Sequence, residues 1–544
     1  MEKAVRLTLF LAVVFLASYL RITGLGWGLT SGYRQFQNFH PDEFVSLRGV
    51  RQIDLLAGRL KAPAAYFEGT FNYYLWAVPQ ATLNLLKKPE VRLGVSTSTG
   101  DHGDLLYLCR WMSVFFDLCT IVIVFLAIRE ATQDFYPSLL GALCYAVLPM
   151  QVIYAHFMRT HILSNLLCAS VIWLSLKLCK SQPRPLLLTV GFLSGLGAAT
   201  RYPAGILVVI PCLYLLFNGR DDLPNWKSRL WERARDFVAG PVWLIGLGFV
   251  VGLFLGHPML FLDPSSVTKA ITGETLTYAS LQEFHASKLL NLLVIWKYTS
   301  YLIPFAMYPL LWVFPYCAIL YLSFRRTLCR DSVPIVIFCL LYSYFMAKGY
   351  PGSAARPAMF LFPSFCVLVG VVCHDLRLRL RRQRIIAICM ASVATVLIIP
   401  SILFDLAYVN AMCRQDARSV LRLDLQKLIG TSPVTIGVFN SGGYFFTVMP
   451  AIEPLKSKTV TIQLQDARQP ADFFLVGFIR PIPAVLAQAA IGQIEGQGNF
   501  KYERIYGVRP KIFGRELHFE RFPGDMTYPF PTILLFRPKP EAEG

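Results

Sequence analysis

Apolar runs of about 17–22 residues, long enough to cross a bilayer as helices, recur about eleven times before residue 405. A backbone in lipid must satisfy its own hydrogen bonds, so such runs leave few options besides a bundle of transmembrane helices. The predicted helices lie near Leu7–Gly26, Leu106–Ile128, Pro137–Tyr154, Ile162–Leu178, Pro185–Ala199, Ala204–Phe217, Phe237–Gly256, Tyr301–Phe324, Val333–Ala347, Ala358–Cys373 and Ile385–Phe404. Of the 544 residues 55% are hydrophobic and only 16% charged, well under the ~25% of soluble domains. The chain reads as a polytopic α-helical membrane protein. Its first run has no small-residue cleavage site close behind it and is expected to stay as a helix, not to leave as a signal peptide.

The formal charge of +19 invites a nucleic-acid reading, but its distribution argues against one. Basic residues collect in short loops between apolar runs, as at Arg325, Arg326 and Arg330, or Arg377, Arg379, Arg381, Arg382 and Arg384. Such clusters set topology and meet anionic headgroups, so the expected partner is the bilayer, with no nucleic acid. Lys3 and Arg6 place the N-terminus in the cytoplasm. Alternation from there puts the basic connections 177–184, 220–235, 325–330 and 377–384 on the same side. An odd number of helices leaves the tail outside. The 13 cysteines lie almost entirely inside apolar runs and lack metal-ligand spacing, so no disulfide framework or zinc site is expected.

Residues 1–404 are read as the membrane domain and 405–544 as a small extracytoplasmic α/β domain. In the tail, Val434–Val438 and Thr459–Leu464 alternate like strands, and Phe473–Phe478 and Ile533–Phe536 are short apolar runs. The first outer loop, 27–105, holds an aromatic stretch, Phe67–Leu86, that reads as an interfacial helix. Ahead of it stands His40-Pro41-Asp42-Glu43. Paired carboxylates beside a bilayer are costly to desolvate, so they either cap the helix expected near Phe44 or do chemistry. Asp117, inside the second helix, has no evident charge network around it.

The order of the motifs resembles the GT-C superfamily of polyprenyl-phosphate-sugar-dependent glycosyltransferases, nearest its protein O-mannosyltransferase and aminoarabinose-transferase branch. The pieces that carry the resemblance are HPDE at His40–Glu43, YFEGTFNYYLW at Tyr66–Trp76 and YAHFMRTH at Tyr154–His161. They continue with GAATRYPAG at Gly197–Gly205, GHPMLFLDP at Gly256–Pro264 and YPGSAARPAMFLFP at Tyr350–Pro363. The likeness covers roughly Leu7 to Ala411.

The resemblance implies an inverting transfer of a mannose-like hexose or aminoarabinose from a polyprenyl-phosphate donor to an outer protein, lipid or glycan hydroxyl. Asp42 would be the base, with Glu43 and His161 beside it; His161 stands where relatives carry an Asp. Arg356, Arg201 and Lys297 would meet the donor phosphate. His40, Arg159 and Tyr350 would touch substrate. Glu68 is followed by Gly69 where the family often has Lys, and reads as a solvated interfacial carboxylate; with His285 it is also the candidate ligand pair for a divalent metal ion, the one cofactor the resemblance leaves open. The expected location is a bacterial inner membrane. The competing reading is a transporter or lipid-linked-glycan flippase, which would call for midplane charges and interrupted repeats.

Overall fold

A computed structural model of the chain describes all residues except 30–39, 87–98, 218–234, 281–295, 325–328, 350–353, 381–383, 431, 440–446, 479–480, 498, 519–521 and 540–544. It divides into two compact units. The first comprises Met1–Ile22, Val45–Thr97 and Leu105–Asp405; the second comprises Thr23–Phe44, Ser98–Asp104 and Leu406–Gly544.

The apolar runs fall largely on helices, with ends shifted by a few residues and some runs divided between two elements. In chain order these are α1 (Glu2–Ile22), α2 (Pro41–Arg51), α3 (Phe71–Leu86), α4 (Thr99–Thr132), α5 (Phe135–Ala146), α6 (Pro149–Ala155), α7 (His161–Leu178), α8 (Arg184–Thr200) and α9 (Val209–Phe217). There follow α10 (Pro241–Gly256), α11 (Pro264–Ser280), α12 (Val313–Ser323), α13 (Cys329–Gly349), α14 (Phe362–Leu380) and α15 (Arg384–Met412). Among the described residues five helical segments are long and apolar enough to cross a membrane, or six if the bent pair α5–α6 counts as one span. The protein is an integral membrane protein of largely helical fold.

Three predicted helices are broken, each at a residue that disfavours the helical ladder. The run 137–154 bends by 59° between α5 and α6, where Pro149 opens the second piece. The run 204–217 starts as a 3₁₀ helix, Tyr202–Val208, containing Pro203. The run 301–324 becomes a short π-helix, Tyr298–Leu302, one turn at Ile303–Ala306, and then α12. Asp117 is not isolated either. Arg21 Nε donates to its Oδ2 at 2.6 Å and Tyr145 donates to its Oδ1 at 3.0 Å, all three fully buried.

Within the first unit α8 and α10 pack backbone against backbone. A Cβ placed at Gly191 or Gly195 would lie under 3.0 Å from the α10 main chain, and one at Gly248 or Gly252 under 3.0 Å from the α8 main chain. Gly256 closes on Ala199 in the same way. The four-residue spacing on each helix makes one continuous small-residue seam, the device by which helices approach closely in lipid.

The second unit is built on a five-stranded sheet ordered β2-β1-β3-β7-β4. Its strands are β1 (Val434–Phe439), β2 (Val460–Gln465), β3 (Phe473–Phe478), β4 (Phe500–Gly507) and β7 (Thr532–Pro538), with β5 (Lys511–Ile512) and β6 (Arg515–Glu516) forming a separate hairpin. β1 runs parallel to β2 and β3, pairing Val434 with Val460 and Ile436 with Phe473; β7 is antiparallel to β3 and β4. Alternation splits the strands between two cores. Ile436, Val438, Leu475, Ile533 and Leu535 face α16 (Ala417–Leu428) through Leu421 and Leu425. Phe474, Val476, Leu534 and Phe536 share the other face with Phe500 and with Ile494 of α17 (Ala484–Gly496).

Candidate functional site

The acidic motif opens α2, which starts at Pro41 rather than near Phe44. Pro41 takes the first helical position, where its missing N–H costs nothing. Asp42 and Glu43 fall in the first turn, where the helix dipole favours negative charge. The cap expected of the carboxylates is made by His40 instead: the Asp42 backbone N–H donates to His40 Nδ1 at 3.2 Å. Asp42 is half-buried and Glu43 buried.

Within the second unit His40 is set by the tail. Its ring meets Tyr528 edge-on at 4.8 Å, and Arg418 Nη2 donates to the Tyr528 carbonyl at 3.3 Å. Arg418 is itself held by Asp416, which caps α16 through the Arg418 N–H and accepts from Trp27 Nε1 at 3.1 Å. A chain of hydrogen bonds and one ring contact thus runs from Trp27 to the residue that caps α2.

A second group assembles in the first unit around residues 66–70. Arg159, in the turn between α6 and α7, donates to Glu68 Oε1 at 2.6 Å and to Ser46 Oγ at 3.3 Å. Tyr73 donates to Glu68 Oε2 at 3.0 Å. Burial and the neighbouring carboxylate push the Tyr73 phenol well above its ordinary value, so it stays a donor. Glu68 is therefore not the solvated carboxylate expected from sequence. Its side chain is 9% exposed, and Arg159 supplies the counter-charge that permits this. Both its oxygens are spent on donors, an arrangement that suits an ion pair and not a cation ligand. Among the described residues no three His, Cys, Asp or Glu gather as a metal site.

Gly69 explains how this loop is placed. At φ +122° it occupies a conformation L side chains rarely adopt, and a Cβ there would strike the Ala199 carbonyl at the end of α8. Next to it Thr70 donates to the Gly256 carbonyl at 2.9 Å and lies 2.9 Å from His257 Nδ1. His257 Nε2 lies 2.9 Å from the Tyr202 hydroxyl, which donates to the Tyr66 carbonyl. Burial pushes the His257 imidazole down to about 4, so it is neutral near pH 7. Sequence reasoning quoted the motifs of Thr70, Tyr202 and His257 but assigned these residues no role; the visible signal was a histidine directly after a glycine-rich helix.

The other candidates are placed as follows. Arg201, half-buried, ends α8 beside Tyr202. Arg356, half-buried, opens the 3₁₀ turn Arg356–Leu361 that leads into α14, and Tyr342 steadies that turn by donating to the Pro357 carbonyl at 2.9 Å. Lys297 is exposed just before the π-helix. His161 is buried at the start of α7, its ring edge-on to Tyr154 at 5.1 Å. Tyr350 and His285 lie outside the described residues.

The chain is similar to several solved structures and to one family model. The crystal structure of the Archaeoglobus fulgidus oligosaccharyltransferase with zinc and sulfate is 12% identical, with TM-score 0.47, over 86% of this chain and 67% of that one. ArnT from Cupriavidus metallidurans bound to undecaprenyl phosphate is 13% identical, with TM-score 0.46, over 97% of each chain. The S. cerevisiae protein O-mannosyltransferase Pmt1-Pmt2 complex bound to the sugar donor is 15% identical, with TM-score 0.34, over 48% of this chain and 34% of that one. No curated protein matches the chain. Residues 102–231, which include Arg159, His161 and Arg201, match the family model of the dolichyl-phosphate-mannose-protein mannosyltransferases, so over that stretch the resemblance carried by the motifs is a resemblance to this family.

Proposed function

We propose that the protein is an inverting glycosyltransferase that takes a sugar from a polyprenyl-phosphate donor and joins it to an acceptor hydroxyl. The observation that carries this reading is the family match over residues 102–231, a family described by its lipid-phosphate-linked mannose donor. In the proposed step Asp42 removes the acceptor hydroxyl proton while the oxygen attacks C1 of the sugar. The C1–O bond to phosphate breaks on the opposite face, and its electron pair leaves with the lipid phosphate. That leaving group gains one negative charge, which Arg356 and Arg201 are suited to meet, with Lys297 as a third phosphate candidate. Glu43 and His161 orient the acceptor or the base, and His40, Arg159 and Tyr350 are the substrate-binding candidates that the resemblance supplies. The first turn of α2, capped by His40, supports Asp42 as a fixed carboxylate.

The donor is a mannose-like hexose or aminoarabinose, and the acceptor a protein, lipid or glycan hydroxyl. The proposed orientation has the N-terminus in the cytoplasm and the tail outside, in a bacterial inner membrane. The test is transfer from radiolabelled polyprenyl-phosphate mannose, glucose and aminoarabinose by purified protein, with membrane extract as acceptor source, beside Asp42→Asn. Turnover of one donor with loss of about 10²–10⁴ in rate in the variant is expected for removal of a general base. Equal rates for both proteins would overturn the role of Asp42. No turnover of any donor by folded wild type would overturn the transferase reading in favour of the transporter alternative, to which the buried Arg21–Asp117 pair would then belong.

A further inference from the structure

The tip of the β5–β6 hairpin carries a residue that nothing in its own unit explains. Lys511 pairs with Glu516 and Ile512 with Arg515, so Phe513 and Gly514 form a two-residue turn. Both have positive φ, 48° and 81°, as a type I′ turn requires. Asn, Asp or Gly is the usual first residue of such a turn, and a bulky aromatic there is disfavoured. Phe513 gains no packing from the position. It is 88% exposed.

Two more apolar side chains stand close to the hairpin base. Arg509, just before β5, donates to the Ile482 carbonyl at 2.7 Å and so ties the hairpin to the turn that opens α17. Val485 and Leu486, in the first turn of that helix, are 74% and 56% exposed. With Phe513 they are the most exposed large apolar side chains of the second unit among the described residues. The charge around them has one sign in excess. Arg509 and Lys511 share Glu516, at 3.4 and 3.3 Å, while Arg515 has no ion-pair partner among the described residues. Three cations against one carboxylate leave the hairpin positive.

An aromatic tip with apolar neighbours, set among cations, is the composition that seats a segment at a bilayer surface. The apolar groups enter the acyl boundary and the cations meet anionic headgroups. A bilayer is also the surface from which this unit cannot depart: α15 carries a segment long and apolar enough to cross one, and only residues 413–416 separate it from α16. A protein partner fits less well. A two-residue turn offers little area for a stable protein interface, whereas a single ring suffices to enter a soft layer.

We infer that the β5–β6 hairpin and the first turn of α17 dock on an anionic membrane surface. Phe513, Val485 and Leu486 lie in its interfacial layer, and Lys511 and Arg515 meet its headgroups.

The test is spin labelling of the full chain in nanodiscs of phosphatidylcholine with or without phosphatidylglycerol. Cys317 and Cys413, the exposed thiols among the described residues, are replaced by Ser throughout, and that protein without a new cysteine is the blank. Labels are placed through Phe513→Cys, Val485→Cys and, as the reference, Leu464→Cys. Leu464 is exposed on β2, the edge of the sheet opposite β4, which leads into the hairpin. In discs with phosphatidylglycerol, collision with a water-soluble nickel chelate should be at least about threefold lower at 513 and 485 than at 464, and collision with oxygen higher. Phe513→Asn suits a positive φ better than Phe, so it should fold, and it should reopen 485 to nickel. Lys511→Gln with Arg515→Gln should do the same, as should discs of phosphatidylcholine alone. Nickel access at 513 and 485 equal to that at 464 overturns the proposal. So does exclusion of nickel and oxygen together, the mark of a protein contact. Protection that survives both the charge variant and the neutral discs overturns it as well.

Discussion

Arg159 and Glu68 stand 91 residues apart and meet at 2.6 Å with almost no solvent contact. Removing one member of such a pair leaves the other charge buried alone, at a cost of about 3–5 kcal/mol. Arg159→Met is therefore expected to lower the melting temperature in detergent sharply, and the double variant with Glu68→Met should recover part of the loss. Equal or additive losses would mean that the pair is not coupled. His257 makes a pH prediction. Its folded value of about 4 lies below the usual histidine value of 6.5, so between these pH values the unfolded chain holds a proton that the native one does not. Stability should fall as pH drops from about 6.5 toward 4. Melting temperatures across that range should show the slope, and His257→Gln should flatten it; an identical slope in the variant would assign the effect elsewhere. The individual motifs were legible in the sequence, but these partnerships were not. A single chain carries no mark that Glu68 belongs to Arg159, or that His40 and not Asp42 caps α2.

Among the elements, the apolar runs were legible because lipid tolerates almost nothing else at that length. Their interruptions were overlooked although Pro149 and Pro203 mark two of them, since a hydropathy average passes smoothly over a proline. In the tail, β1 announced itself by its alternation and β3 as a short apolar run, and each pairs on both sides. β4 did not: Phe500–Gly507 pairs only with β7, and Lys501, Glu503 and Arg504 on this edge strand mask its alternation. The α8–α10 seam predicts its own failure. Gly252→Ala should force the two backbones apart and destabilise the protein by about 1–3 kcal/mol, read as a lower melting temperature. Gly246→Ala, on the same helix but with nothing within 4 Å of the added carbon, should be silent. Equal behaviour of the two would deny the close approach.

At the scale of the whole molecule the orientation can be read through a native thiol. Cys413, just beyond α15, is exposed. A membrane-impermeant maleimide added to intact cells should label wild type and not Cys413→Ser. Labelling only after the membrane is opened would invert the proposed topology. The glycine seam has a consequence of a different kind, for genetics. Each of its five glycines faces backbone or Cβ atoms with no room for even one added carbon. A saturation library selected for activity should therefore empty at these positions as completely as at Asp42. Depletion alone would draw a false map of the reaction centre, centred on a weld between two helices. Paired scoring of expression and turnover would separate the two, since Asp42 variants should be made in full and remain idle, while the glycine variants should accumulate to lower levels.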